Sequence, residues 1–203
     1  MEKELEIYYD HYKDSFAYLR TYIKQRDKYF LCCIILLALI FVNSMFPFDF
    51  ELLSKVYFEK AVGLKNFKNF QLLNSFLLFC ILSAVIKYFQ VNITIERQYT
   101  YLHHVEKQLS NKLSEFNIFR ESKGYLNNYP IFGSIVHRIY TIVFPALLIL
   151  LLAIRWWSSI NSVECFKLIS FFSFDSFVIT TIIILTIFYL LWVHCKDFKY
   201  CKH

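Results

Sequence analysis

Four long apolar stretches, at 29–46, 70–91, 133–157 and 174–194, set the terms on which this chain can fold. Each meets the roughly 20 apolar residues that a helix needs to cross about 30 Å of hydrocarbon. No charge falls between Lys28 and Asp49, and none between Asp175 and Lys196. Lys87 lies near the end of the second stretch, and Arg138 and Arg155 bracket the centre of the third, where long stems can carry their heads to the two membrane faces. Trp156 and Trp157 beside Arg155 read as an interfacial anchor. The fold class expected is all-α: a polytopic membrane protein with four transmembrane helices, built as a single membrane domain over 1–203.

Orientation follows from basic residues, which cytoplasmic flanks retain. Lys3, Lys13, Arg20, Lys24, Arg26 and Lys28 precede the first stretch; Arg97, Lys107, Lys112, Arg120 and Lys123 fill the central connector; Lys196, Lys199 and Lys202 end the chain. Those fourteen face five on the other side, namely Lys55, Lys60, Lys65, Lys68 and Lys167. Both termini and the connector 92–132 are therefore expected in the cytoplasm, with 195–203 as a cytoplasmic tail. The first apolar stretch follows a charged segment and lacks a small-residue cleavage pattern, which predicts a retained anchor.

The segment 1–28 places Leu5, Tyr8, Tyr9, Tyr12, Phe16, Leu19 and Ile23 at steps of three and four, one face of a helix. Asp10, Lys13, Asp14, Arg20 and Lys24 lie opposite, and no Pro or Gly intervenes, so one helix is expected from about Glu4 into the first span. A basic collar from Arg20 to Lys28 is a second reading, suited to anionic lipid. The second span is also expected to continue, because Ile95, Tyr99, Leu102, Leu109, Leu113 and Phe116 keep helical spacing. The two extensions are expected to form a cytoplasmic helical bundle, with uncovered stripes making an oligomer contact. Beyond it, Gly124, Asn127, Asn128 and Pro130 mark a turn back to the membrane, and Pro145 predicts a kink in the third span.

The densest ionisable cluster is the connector's polar face. Glu96, Arg97, Tyr99, His103, His104 and Lys107, with Arg120 and Glu121 near the turn, are the candidate partner or oligomer contacts. Arg97 and His103 also satisfy the loose R-x4-6-H spacing of HEPN ribonucleases, a pair that acts on RNA at a dimer interface; the plainer reading is a solvated or subunit-contacting face. Adjacent His103 and His104 diverge on a helix, so they do not suggest a metal site. Six cysteines without a CxxC pair argue against zinc, and Cys32, Cys33 and Cys80 read as small core residues.

Within the spans Asn43, Asn74, Pro145 and Thr181 are the candidate pore-lining or helix-packing residues, beside Ser44, Ser75, Ser83, Thr180 and Thr186. No acidic residue sits at mid-membrane, which argues against a proton- or cation-coupled transporter. A pore would have to assemble between subunits. There is no P-loop, GxSxG or HExxH, and three glycines in 203 residues cannot build a phosphate cradle. No enzyme activity and no cofactor are expected.

The stretches RQYTYLHHVEKQL (97–109) and RESKGYLNNYPIF (120–132), within a four-span layout of this size, resemble the small membrane accessory proteins encoded beside RNA-guided RNases in type VI-B CRISPR systems, and more broadly the membrane proteins of bacterial antiphage operons. That resemblance implies an inner-membrane effector or regulator of defence. Its implied partners are further copies of itself, membrane lipid, and a CRISPR RNA-guided RNase or another defence protein, with no direct contact to nucleic acid. Activity would come from forming or gating a pore, with a non-pore scaffold and a membrane-anchored HEPN-like RNase as alternatives.

Overall fold

A computed structural model describes residues 2–62, 70–112, 131–161 and 169–200, and these are helical throughout apart from Phe46. Helix α1 spans Glu2–Met45, α2 Pro47–Val62 and α3 Phe70–Lys112; α4, Ile131–Arg138, passes through a π-helical turn at Ile139–Val143 into α5, Phe144–Asn161; α6 spans Ile169–Tyr200. Four helical stretches are long and apolar enough to cross a membrane: Glu6–Met45, Leu72–Asn111, Ile135–Trp157 and Ser173–Val193. The expected turn at Gly124–Pro130, the stripe positions Leu113 and Phe116, the contact residues Arg120 and Glu121, and Cys165 lie outside the described residues.

Neither α1 nor α3 contains Gly or Pro, so nothing in the backbone interrupts either helix. Each continues well past its apolar stretch, as the spacing predicts. Pro47 ends α1, because the residue before a proline is disfavoured in the α region, and the same ring pre-sets the first turn of α2. Phe46 N–H donates to Val42 O (2.8 Å) and Phe50 N–H to Phe46 O (3.0 Å), which holds the junction. Asp49 in the first turn of α2 complements the helix dipole. Helix α2 is a finding of the structure, because the charges of 47–62 break up its apolar period. In the third span, Pro145 lacks the N–H that Thr141 O would accept, and its ring crowds that carbonyl. The backbone answers with the π turn centred on Thr141, so the expected kink takes the form of a widened turn.

The chain divides into two compact units, one from Met1–Phe30 and Lys87–Arg138, the other from Leu31–Ile86 and Ile139–His203. In the first unit α1 and α3 pair antiparallel, Phe30 ringing against Tyr88 while Tyr12 reaches Glu106. Its core joins Tyr12 and Leu19 to Val91, Ile95, Leu102, Val105 and Leu109, with Tyr8, Phe16, Tyr22, Ile23 and Tyr29 packed against it. Ile95, Leu102 and Leu109 recur at seven-residue spacing, as do Val91 with Gln98 and Val105, a coiled-coil seam. Fully buried, Leu19, Leu102 and Leu109 each contribute about 1.5–3 kcal/mol. Two members of the expected stripes do not join this core: Tyr9 and Tyr99 are exposed, since each stands a helical step off the seam.

The second unit is a bundle of α1, α3, α5 and α6. Buried Cys33, Leu37 and Ile40 of α1 share its interior with Leu78, Ile81 and Val85 of α3, Leu148 and Leu152 of α5, and Val178, Ile179 and Ile182 of α6. The outward positions are apolar too: Leu31, Ile35, Phe76, Phe79, Leu150, Phe177, Phe188 and Leu191 are exposed. A bundle apolar on both its inner and outer faces suits lipid rather than water as its solvent.

Candidate functional site

Each of the four spans carries two adjacent polar-tipped residues at the same end of the bundle. On α1 these are Asn43 and Ser44, on α3 Asn74 and Ser75, on α5 Arg155 and Trp156, on α6 Asp175 and Ser176. Chain direction explains the placement, because α1 and α5 finish where α3 and α6 begin. Asn43 Nδ2 donates to Asn74 Oδ1 (2.5 Å) and Ser75 Oγ to Asp175 Oδ1 (2.5 Å). Trp156 Nε1 donates to Ser176 Oγ (2.7 Å), and Arg155 Nη1 reaches Ser44 Oγ at 3.4 Å.

These four bonds close a circuit: α1 to α3, α3 to α6, α6 to α5, α5 back to α1. One cation and one carboxylate sit in it, on neighbouring helices and within electrostatic reach of each other. Such polar groups in a lipid-solvated bundle tie helices together, typically by about 0.6–2 kcal/mol per contact. Asn43 is nearly inaccessible and Ser75 is buried, so the belt is packing rather than an open lining within one chain.

The sequence-derived candidates fall around this belt unevenly. Asn43 and Asn74 are brought into direct contact. Thr181 is not part of it; its hydroxyl bonds its own helix at Phe177 O (2.8 Å), and buried Thr186 does the same at Ile182 O (2.7 Å). Pro145 is buried beside the π turn, away from both asparagines in the chain. Arg155 reaches Ser44, which like it lies at the end of its span, and Trp156 spends its N–H on Ser176 while Trp157 stays exposed. Asp175 and Ser176 were not singled out from the sequence. The available signal was the recurrence of a polar pair at matching ends of all four spans.

In the first unit, Arg97, Tyr99, His103, His104 and Lys107 are exposed along α3 and Glu96 is partly buried, which gives the expected polar face. Among the described residues no ion pair engages Glu96, Arg97 or Lys107. The His104 ring nitrogen lies 3.0 Å from Gln108 Nε2, one turn on. Arg97 and His104 share a side of the helix, whereas Arg97 and His103 are about 120° apart around it, so one chain does not converge the HEPN-like pair. The basic collar is partly occupied: Arg20 lies 4.5 Å above the Phe16 ring, and Arg26 pairs with Asp27 at 2.9 Å.

The chain matches no protein-family model, no curated protein and no solved structure. Two features of the first unit that the sequence left unmarked add to its chemistry. Glu106, only 1% exposed, accepts a hydrogen bond from Tyr12 OH (3.0 Å) inside the helix pair. An open cleft of about 390 Å³ on the same helix pair is lined by His11, Asp14, Ser15 and Tyr18 of α1 and by Gln98 and Tyr101 of α3. The His11 and Tyr101 rings meet edge-on across it at 6.3 Å. Aromatic faces around the Asp14 carboxylate suit an ammonium or guanidinium group.

Proposed function

We propose that this protein is a non-enzymatic, oligomeric effector or regulator in the bacterial inner membrane, working in antiphage defence of the CRISPR type. Its paired α1–α3 extension is cytoplasmic and receives a nucleic-acid-sensing partner protein, and its spans then form or gate a pore between subunits. The observation that carries the reading is that α1 and α3 run on past their apolar stretches into a unit with its own core. That unit leaves Arg97, His103, His104 and Lys107 facing outward beside an aromatic cleft. A plain membrane anchor has no need of such a surface. The resemblance of 97–109 and 120–132 to type VI-B accessory proteins supplies the biological setting.

A second reading, a scaffold that recruits the partner without opening the membrane, draws on the apolar interior of the bundle, where Ile81, Leu148, Leu152 and Ile182 are fully buried. Co-expression with the activated partner separates the two. A pore predicts dye entry and loss of membrane potential within minutes of activation; an intact potential with the protein confirmed in the membrane leaves the scaffold. Under the scaffold reading, moving residues 1–30 and 87–138 to an unrelated anchor retains activity.

A further inference from the structure

Helix α2 turns large apolar side chains outward together with its charges. Phe48, Leu52, Leu53, Val56 and Tyr57 are exposed, Phe48 by 79% and Leu53 by 68%, as are Asp49, Lys55, Glu59 and Lys60, while Phe50, Glu51 and Ser54 are partly buried. Around the two central turns, Leu52, Leu53, Val56 and Tyr57 share one arc and Glu51, Ser54 and Lys55 the other; Asp49 and Lys60, in the first and last turns, flank the apolar arc at its two ends. Lys55 Nζ and Glu51 Oε1, one turn apart, form an ion pair of 2.6 Å along that polar arc. Phe48, Leu52, Leu53 and Val56, large, apolar and exposed, need an apolar phase to face.

The junction with α1 says which phase that is. Only Phe46 separates α2 from a membrane-spanning helix whose exposed Phe41, Val42 and Met45 lead directly to it. The helical hydrogen bonds at Phe46 and Phe50 hold the start of α2 at the level where α1 leaves the hydrocarbon. With 16 residues, about 24 Å of helix, α2 is too short to cross the roughly 30 Å core. We propose that α2 is an interfacial helix whose partner is membrane lipid, with Leu52, Leu53 and Val56 at the headgroup–acyl boundary. Because α2 starts one turn after Asn43 and Ser44, lipid packing against it bears directly on the polar belt.

The wild-type chain in phosphatidylcholine–phosphatidylglycerol vesicles, with carbene-generating lipids carrying the photoreactive group either near the headgroup or at the acyl terminus, tests this. Peptide mass spectrometry is expected to find adducts on 47–62 at Leu52, Leu53 and Val56, several-fold more with the shallow probe than with the deep one, while the spans react with both. Labelled spans with an unlabelled α2 would overturn the proposal: at every protein-to-lipid ratio this means that α2 faces water, and at high ratios alone that a second copy covers it. Equal labelling by both probes would also overturn it, as a re-entrant segment in the hydrocarbon. Unlabelled spans would instead remove the membrane assignment itself.

Discussion

Tyr12 donates its phenolic proton to Glu106 across 94 residues of sequence, at 3.0 Å and in a site where the acid is 1% exposed. Neither residue lies on the outward polar face. The contact sets the register of the α1–α3 pair, because a slip of either helix by one residue would leave a buried carboxylate without this donor.

Replacing Tyr12 with Phe is therefore expected to destabilise the first unit by about 1–3 kcal/mol, the cost of removing one partner of a buried polar contact. Glu106→Gln, which keeps an acceptor in place, is expected to cost less. Hydrogen exchange over 8–29 and 88–109 in nanodiscs measures both, with faster exchange confined to that unit.

Asp175→Ala is expected to strand the Ser75 hydroxyl and to cost about 1–3 kcal/mol, the loss of one partner of a polar contact inside the bundle, whereas Asp175→Asn keeps an acceptor there and costs less. Thermal unfolding of the detergent-solubilised protein, followed by loss of monodisperse signal, ranks the two variants; equal Tm for both would contradict the Ser75 contact.

Asn43→Ala opens a gentler case. It deletes one amide contact between α1 and α3, and a loss of about 0.6–2 kcal/mol is expected, matched by Asn74→Ala and not exceeded by the pair together.

Pro145→Ala gives Thr141 O a donor and is expected to let the third span refold as continuous α-helix. Absorbing the π turn rotates the preceding residues by about one residue, near 100°, relative to α5. Cysteine accessibility scanned from Ile135 to Val143 reads this as a shift of the protected face by one position.

For the outward surface, Arg97→Glu with Lys107→Glu is expected to abolish the response to the partner while membrane insertion and the Tyr12–Glu106 core survive. Cell fractionation and dye entry on the same cultures separate the two effects.

Much of the helical framework was legible in the sequence because hydropathy over 20 residues averages away local detail. Ile95, Leu102 and Leu109 marked the α3 extension, and the absence of Gly and Pro marked both long helices. Helix α2 was hidden because Asp49, Glu51, Lys55, Glu59 and Lys60 interrupt the apolar period throughout 47–62. The belt was half visible. Asn43 and Asn74 stood out as amides in apolar runs, but the pairing of Ser75 with Asp175, 100 residues apart, depends on which helices are neighbours, and periodicity carries no such information. Glu106 was missed because a glutamate within a charged stretch reads as exposed, and only the helix pair shows it facing Tyr12.

The closed circuit of four bonds also has a meaning for biogenesis. Spans leave the ribosome one after another, and when only the first two are inserted, Asn43 already has Asn74 and Ser44 donates within its own helix to Ile40 O, while Ser75 still lacks Asp175. Arrival of α5 brings Arg155 to Ser44, but Asp175 and Ser176, at the head of the last span, complete the remaining two joins together. A chain that lacks the last span therefore holds Arg155 and Trp156 in place without Asp175 and Ser176, and it is α6 that closes the belt.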